Sequence, residues 1–164
     1  MTPEAALTET ASFAAEQARL YPDDAMRAPW LVTASLLAAQ QAAAIALRAA
    51  GDSIPAQAGA TELLLRAASK DRLPAPFTLP FGAAARQSFD RLIEARNAFM
   101  HPRGLTWFVS QDTLARGLPV VGQTVRHLII TQPVLGDLVS PTQQAQLKSD
   151  LMEIVALGEF LCAE

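Results

Sequence analysis

Three polar side chains whose types suit phosphate chemistry lie close together between Arg96 and His101. An arginine can bind a phosphate and stabilise the charge that develops on it. A histidine can accept or donate a proton near neutral pH. Asn97 precedes His101 by four residues, the spacing at which two side chains share one face of a helix. Asn97 could therefore orient the imidazole or a bound phosphate. The alternative is a histidine that only caps the last carbonyls of a helix, beside a plain surface amide.

The segment that carries these residues, 82–101, predicts an amphipathic helix. Arg96 falls in the middle of its apolar stripe when residues are placed at about 100° intervals. A covered guanidinium needs an anion or carbonyl partners. Arg96 therefore predicts a phosphate site, an ion pair with Glu94, Asp90 or a distant carboxylate, or a side chain that reaches water from the helix end. Pro102 disfavours helical backbone at His101, which should close the helix. The stripe consists of Phe89, Leu92, Ile93, Phe99 and Met100.

The run Arg96-Asn97-Ala98-Phe99-Met100-His101 resembles the R-N-x-x-x-H motif of HEPN domains, small helical bundles of toxin–antitoxin, phage-defence and RNA-processing systems. The resemblance covers this motif, its place at the end of a late-central helix, and the number and order of the helices. It implies a metal-independent endoribonuclease that acts as a homodimer, with the two motifs facing each other in a composite site. His101 would take the 2′-OH proton, Arg96 would stabilise the phosphorane and Asn97 would assist, giving 2′,3′-cyclic phosphate ends.

The same resemblance leaves a second hypothesis open. Many HEPN domains are scaffolds, dimerisation modules or nucleotide-binding partners, so Arg96 and His101 could hold a dimer, a partner protein or a nucleotide without cleaving RNA. A third hypothesis is a purely structural helical bundle. The resemblance also implies that the partners are RNA or a nucleotide, with a cognate antitoxin protein as a further candidate.

Charge and aromatic residues near the motif suggest further RNA contacts. Residues 66–127 contain nine Lys and Arg against four Asp and Glu, a net charge of +5 within a chain of net charge −3. Arg91 and Arg103 flank the motif and are candidate phosphate contacts, because arginine can bind phosphate through two parallel hydrogen bonds. Trp107 or Phe108 could stack on a base. The alternatives are ordinary surface charge for the arginines and a core position for both aromatic residues.

The remaining sequence predicts the helices that must position this site. The chain has 164 residues, 51% of them hydrophobic, and is rich in alanine and leucine, which favours one helical domain over residues 1–164. Pro119 is expected to start the fifth helix, Asp112 to cap a helical turn, and residues 106–109 to form a loop, a hairpin or a strand. We therefore expect an all-α, HEPN-like bundle of five to six helices. The predicted helices are 3–20, 29–50, 61–72, 82–101, 119–132 and one that begins at a Ser140–Gln143 capping box.

Several functional classes find no support in the sequence. It has no P-loop, GxGxxG or HExxH motif, and two histidines and one cysteine do not suffice for an all-His or thiolate metal site. We therefore predict no metal and no cofactor. The first residues do not resemble a signal peptide, and Gln40 and Gln41 interrupt the most apolar segment, which favours a buried core helix over a membrane span. A cytoplasmic protein without a membrane partner is expected.

Overall fold

The computed structural model describes residues 1–101, 107–131 and 139–163. Within these residues the chain forms six α-helices and no strand, which confirms the predicted all-α bundle. A 3-10 turn at Ala25–Arg27 leads into the second helix, and a π-helical turn at Arg126–Thr131 continues the fifth. The helices are α1 (Pro3–Leu20), α2 (Ala28–Ala49), α3 (Ala60–Ala67), α4 (Ala83–Met100), α5 (Gln111–Val125) and α6 (Pro141–Ala163).

The helix α2 is the central element, and it packs against α1, α3, α4 and α5. Its buried alanines, among them Ala38 and Ala42, let neighbouring helices approach closely. Among the described residues, Ala25–Ala49 is the one stretch long and apolar enough to cross a membrane, and 67% of its most apolar window is buried inside the bundle. This burial agrees with the core helix that Gln40 and Gln41 predicted.

The start of α5 differs from the prediction. Pro119 was expected to begin this helix, but α5 begins at Gln111, and Pro119 lies inside it. Ser110, rather than Asp112, caps the helix, because its hydroxyl accepts a hydrogen bond from the Thr113 N–H at 3.1 Å. An internal proline costs one backbone hydrogen bond. The cap and the complete burial of four apolar side chains outweigh that cost. These side chains are Leu114, Leu118, Val121 and Val125.

Two other boundaries test the sequence predictions. The third helix was expected to reach Arg72, but α3 ends at Ala67, where the chain turns and buries Leu73. The capping box at the start of α6 is confirmed, since the Gln143 N–H donates to the Ser140 hydroxyl at 3.3 Å and the Ser140 N–H donates to Gln143 Oε1 at 3.1 Å.

Close packing fixes α4, the helix that carries the motif, between α2 and α5. Its buried side chains Phe89 and Leu92 point into the core, and Phe81 meets Phe89 edge to face at 5.9 Å between ring centroids. At Gly117 of α5 there is no room for a side chain, because an added Cβ would lie 2.5 Å from the Leu92 side chain. The position of α4 therefore depends on a glycine in the facing helix.

Candidate functional site at the end of α4

The last turn of α4 presents Asn97 and His101 to solvent. The helix ends at Met100, and His101 has left the helical conformation, with φ −130° and ψ 68°. Its backbone N–H still donates to the Asn97 carbonyl at 2.9 Å. The predicted closure of the helix at His101 is therefore confirmed. Within the part of the chain that the structure describes, the imidazole of His101 makes no hydrogen bond, so it is accessible to a substrate.

Arg96 is partly buried, and its guanidinium is held by the neighbouring amide. Its Nε and Nη2 atoms donate to Asn97 Oδ1 at 3.2 and 2.9 Å. Across residues 1–101, 107–131 and 139–163 no carboxylate pairs with Arg96, and Asp90 pairs instead with Arg86 at 3.8 Å. The ion pairs with Glu94 and Asp90, one of the alternatives for Arg96, are therefore not formed. Since an amide is neutral, it orients the guanidinium without cancelling its charge.

The apolar stripe of α4 follows a slightly different line from the predicted one. The covered positions run Phe89, Leu92, Arg96 and Phe99, a spacing of three, four and three residues. Arg96 lies on this line, as the sequence predicted. Met100 does not, and its side chain is 54% exposed, because it lies one residue beyond the line that faces α2 and α5.

Three aromatic rings form a continuous contact at the end of α4, and we call them the aromatic row: Trp30, Phe99 and Trp107. Trp30 meets Phe99 edge to face at 5.4 Å, and Phe99 meets Trp107 in the same way at 5.7 Å. The indole N–H of Trp107 donates to the Ala95 carbonyl at 2.8 Å. Trp107 is therefore packed on α4, as its core alternative predicted. Phe108 is 82% exposed, so a core position is wrong for this residue.

The basic middle third of the sequence does not form an open cationic surface. Arg91, one of the proposed phosphate contacts, is exposed but pairs with Asp112 at 3.4 Å. Asp112 also accepts a hydrogen bond from Arg116 at 2.5 Å, which raises the pKa of Arg116. Arg103, the other proposed contact, lies outside the described residues. Five arginines in this third therefore bind carboxylates, whereas Arg96 and the exposed Arg126 bind none among the described residues.

A second group of arginines lines a groove along α3. Arg66 and Arg72 both bind Asp52, at 3.4 and 3.0 Å, and Arg66 also binds Glu62 at 3.2 Å. The Asp52 side chain is only 6% exposed. Because these charges satisfy one another, the groove fits a structural role that ties the 51–59 connection to α3 better than it fits an anion site.

Sequence reasoning missed the part that Trp30 plays at this site. Trp30 follows Pro29 in the most apolar segment of the chain, and nothing in its local pattern connects it to the distant motif. Only the crossing of α2 and α4 brings its ring to Phe99. His127, the second histidine, is partly buried in the π-helical turn.

Neither a metal centre nor a relative defines the site further. In the three described ranges, no group of three or more His, Cys, Asp or Glu side chains is placed to hold a metal ion. Comparison with known proteins found no matching family model, curated protein or solved structure.

Proposed function

We propose that this chain is a metal-independent endoribonuclease of the HEPN type, with Arg96, Asn97 and His101 as its site. One observation carries the proposal: Arg96, five residues before an exposed histidine, is held by a neutral amide and has no carboxylate partner among the described residues. An uncancelled cation and an accessible imidazole at the same helix end are the two groups that attack on a phosphodiester requires.

In the proposed reaction, the His101 imidazole takes the proton from the ribose 2′-OH. The 2′ oxygen then attacks phosphorus, and Arg96 stabilises the charge on the phosphorane oxygens. The bond from phosphorus to the 5′ oxygen breaks, and the leaving oxygen takes a proton from a second imidazolium. The products are a 2′,3′-cyclic phosphate and a 5′-OH end. Since each chain offers one histidine here, the proposal requires a second copy.

The outward face of α4 offers a surface for that second copy. Six exposed positions follow one line, spaced three and four residues apart, which is the pattern of a helix that pairs with another helix. Ala98 lies on this line between Asn97 and His101, and its small side chain lets two backbones approach closely. An antiparallel pair of α4 helices crossing at Ala98 would bring the two His101 residues close to one two-fold axis. The six positions are Ala84, Gln87, Arg91, Glu94, Ala98 and His101.

The cleavage test uses end-labelled single-stranded RNA in EDTA. We expect the wild type to produce 2′,3′-cyclic phosphate ends, and His101→Ala to lose about 100- to 10,000-fold of the rate, the range for removal of a general acid–base group. Arg86→Ala is the matched control, because Arg86 is an exposed arginine on the same helix. Equal rates for wild type and His101→Ala, or cleavage that stops in EDTA, would refute the proposal.

The composite site is tested by a disulfide. In a Cys162→Ser background, Ala98→Cys should form a disulfide-linked dimer, since a disulfide needs Cα atoms roughly 4.4–6.8 Å apart. Ala83→Cys is the control at the other end of α4. In a pair that crosses at Ala98, its two copies would lie about 45 Å apart, at about 1.5 Å per residue. Efficient linkage of Ala83→Cys but not of Ala98→Cys would exclude this arrangement.

The second candidate function is a non-catalytic interaction module. The exposed apolar side chains of Met26, Met100 and Phe108 favour it, because they are available to bind a partner protein. An antitoxin protein is a partner of this kind. RNA or nucleotide binding without cleavage, unchanged by His101→Ala, would select this function.

A further inference from the structure

Two aromatic side chains with large exposed surfaces border the motif. Trp30 is 50% exposed and contacts Phe99, which follows Arg96 by three residues on the same face of α4. Phe108 is 82% exposed and directly follows Trp107, the ring that binds the Ala95 carbonyl. Trp30 therefore belongs to the aromatic row at the end of α4, and Phe108 directly follows the last ring of that row in the sequence.

The backbone that carries Phe108 is fixed on both sides. Trp107 is tied to α4 by its indole hydrogen bond, Val109 is buried, and Ser110 caps α5. Trp30 lies in the first turn of α2, next to the buried Pro29. Rings presented from anchored backbone lose little conformational freedom when they bind a ligand.

We propose that Trp30 and Phe108 stack on unpaired bases of a strand whose phosphate is bound by Arg96, which makes single-stranded RNA the substrate class. This inference rests on the proposed function. Aromatic rings beside a cation are the combination that binds single strands, because every base has a face for stacking and every nucleotide has a phosphate. Paired RNA hides its base faces in the helix, so it lacks the groups that these rings bind.

The charges favour a nucleic acid strand over an apolar partner at this place. The neutral Asn97 amide leaves the positive charge of Arg96 uncancelled, and a purely apolar partner would bury that charge. A strand places a phosphate there instead. The aromatic character of both rings adds a contact that aliphatic side chains do not supply.

Binding, rather than cleavage, tests the inference. Fluorescence anisotropy at fixed salt measures the Kd of a labelled single-stranded oligonucleotide with 2′-O-methyl groups, which block the reaction, and of its duplex. We expect Trp30→Ala and Phe108→Ala each to raise the single-strand Kd about tenfold. Phe108→Leu should raise it as well, since it keeps an apolar side chain but removes the ring. Phe160→Ala is the matched control, because Phe160 is 51% exposed on α6, which packs mainly on α1 and α5.

Two results would overturn the stacking role. One is a single-strand Kd that Phe108→Ala and Trp30→Ala leave unchanged; Phe108 is so exposed that its variant should fold normally. The other is a change from dimer to monomer in both variants, measured by light scattering, which would show that a second copy covers these rings. Ring-dependent binding of the blocked oligonucleotide by a protein that leaves ordinary RNA intact would retain the stacking role and refute the ribonuclease. Cleavage of ordinary RNA, with Kd values that the two variants leave unchanged, would support the ribonuclease and refute the stacking role.

Discussion

The contact between Gly117 and Leu92 predicts how tightly α4 is held in place. A Cβ at Gly117 would lie 2.5 Å from both Cγ and Cδ1 of Leu92, and Leu92 is completely buried. Gly→Ala inside a helix normally stabilises by about 1 kcal/mol. Overpacking of a filled core costs about 1–3 kcal/mol, and here the branch carbon of Leu92 has to move, which favours the upper half of that range. We therefore expect Gly117→Ala to lower the free energy of unfolding by about 1–2 kcal/mol, measured by chemical denaturation.

A double-mutant cycle separates this clash from other effects of the added methyl group. Leu92→Ala alone should cost about 2–5 kcal/mol. In the double variant the new methyl group occupies part of the vacated space. The loss of unfolding free energy in the double variant should therefore be smaller than the sum of the two single losses by about 1 kcal/mol or more. Gly82→Ala is the control, because an added Cβ there meets nothing within 4 Å. Additive costs, or a Gly117→Ala variant more stable than the wild type, would refute the reasoning.

The remaining predictions concern the charged residues. Asp52→Ala should lower the free energy of unfolding by about 1–2 kcal/mol, since the nearly buried carboxylate holds two partly exposed arginines, Arg66 and Arg72. Asp112→Ala also removes two arginine pairs, but its carboxylate is 53% exposed, so the cost should stay below about 1 kcal/mol in the same denaturation experiment. Arg96→Met should leave the melting temperature unchanged or raise it, while RNA cleavage is lost; a melting temperature several degrees lower would assign Arg96 a structural role.

The sequence predicted the start of a helix correctly where capping residues and proline indicated the same position. Thr2 and Pro3 set the start of α1, and Ser140 with Gln143 set the start of α6. The predicted start of α5 was wrong. Pro119 is a strong local signal for a helix start, but contacts with residues distant in the sequence determine where this helix begins. Its ring lies where a side chain at Gly158 of α6 would otherwise be, 2.5 Å from the position of an added Cβ. A contact between α5 and α6 cannot be read from the residues around Pro119.

The candidate site shows the same difference between local signals and distant contacts. The sequence predicted the helix end at His101 and the place of Arg96 on the covered stripe, because both follow from local signals within one helix. The partner of Arg96 could not be predicted, because a helical wheel shows which side of a helix is covered but not which atoms cover it. Trp30 entered the site only through the crossing of two helices, and the net charge of the middle third did not reveal that Asp52 and Asp112 bind its arginines.

The contrast between Arg96 and the ion-paired arginines bears on why the sequence keeps a cation there. A methionine or leucine at position 96 would extend the stripe of Phe89, Leu92 and Phe99 and would bury apolar surface at no electrostatic cost. An arginine kept for stability would be expected to bind a carboxylate, as Arg66 and Arg72 do. Arg96 instead binds a neutral amide that fixes its direction. Stability alone does not account for that choice, whereas the proposed phosphate site would.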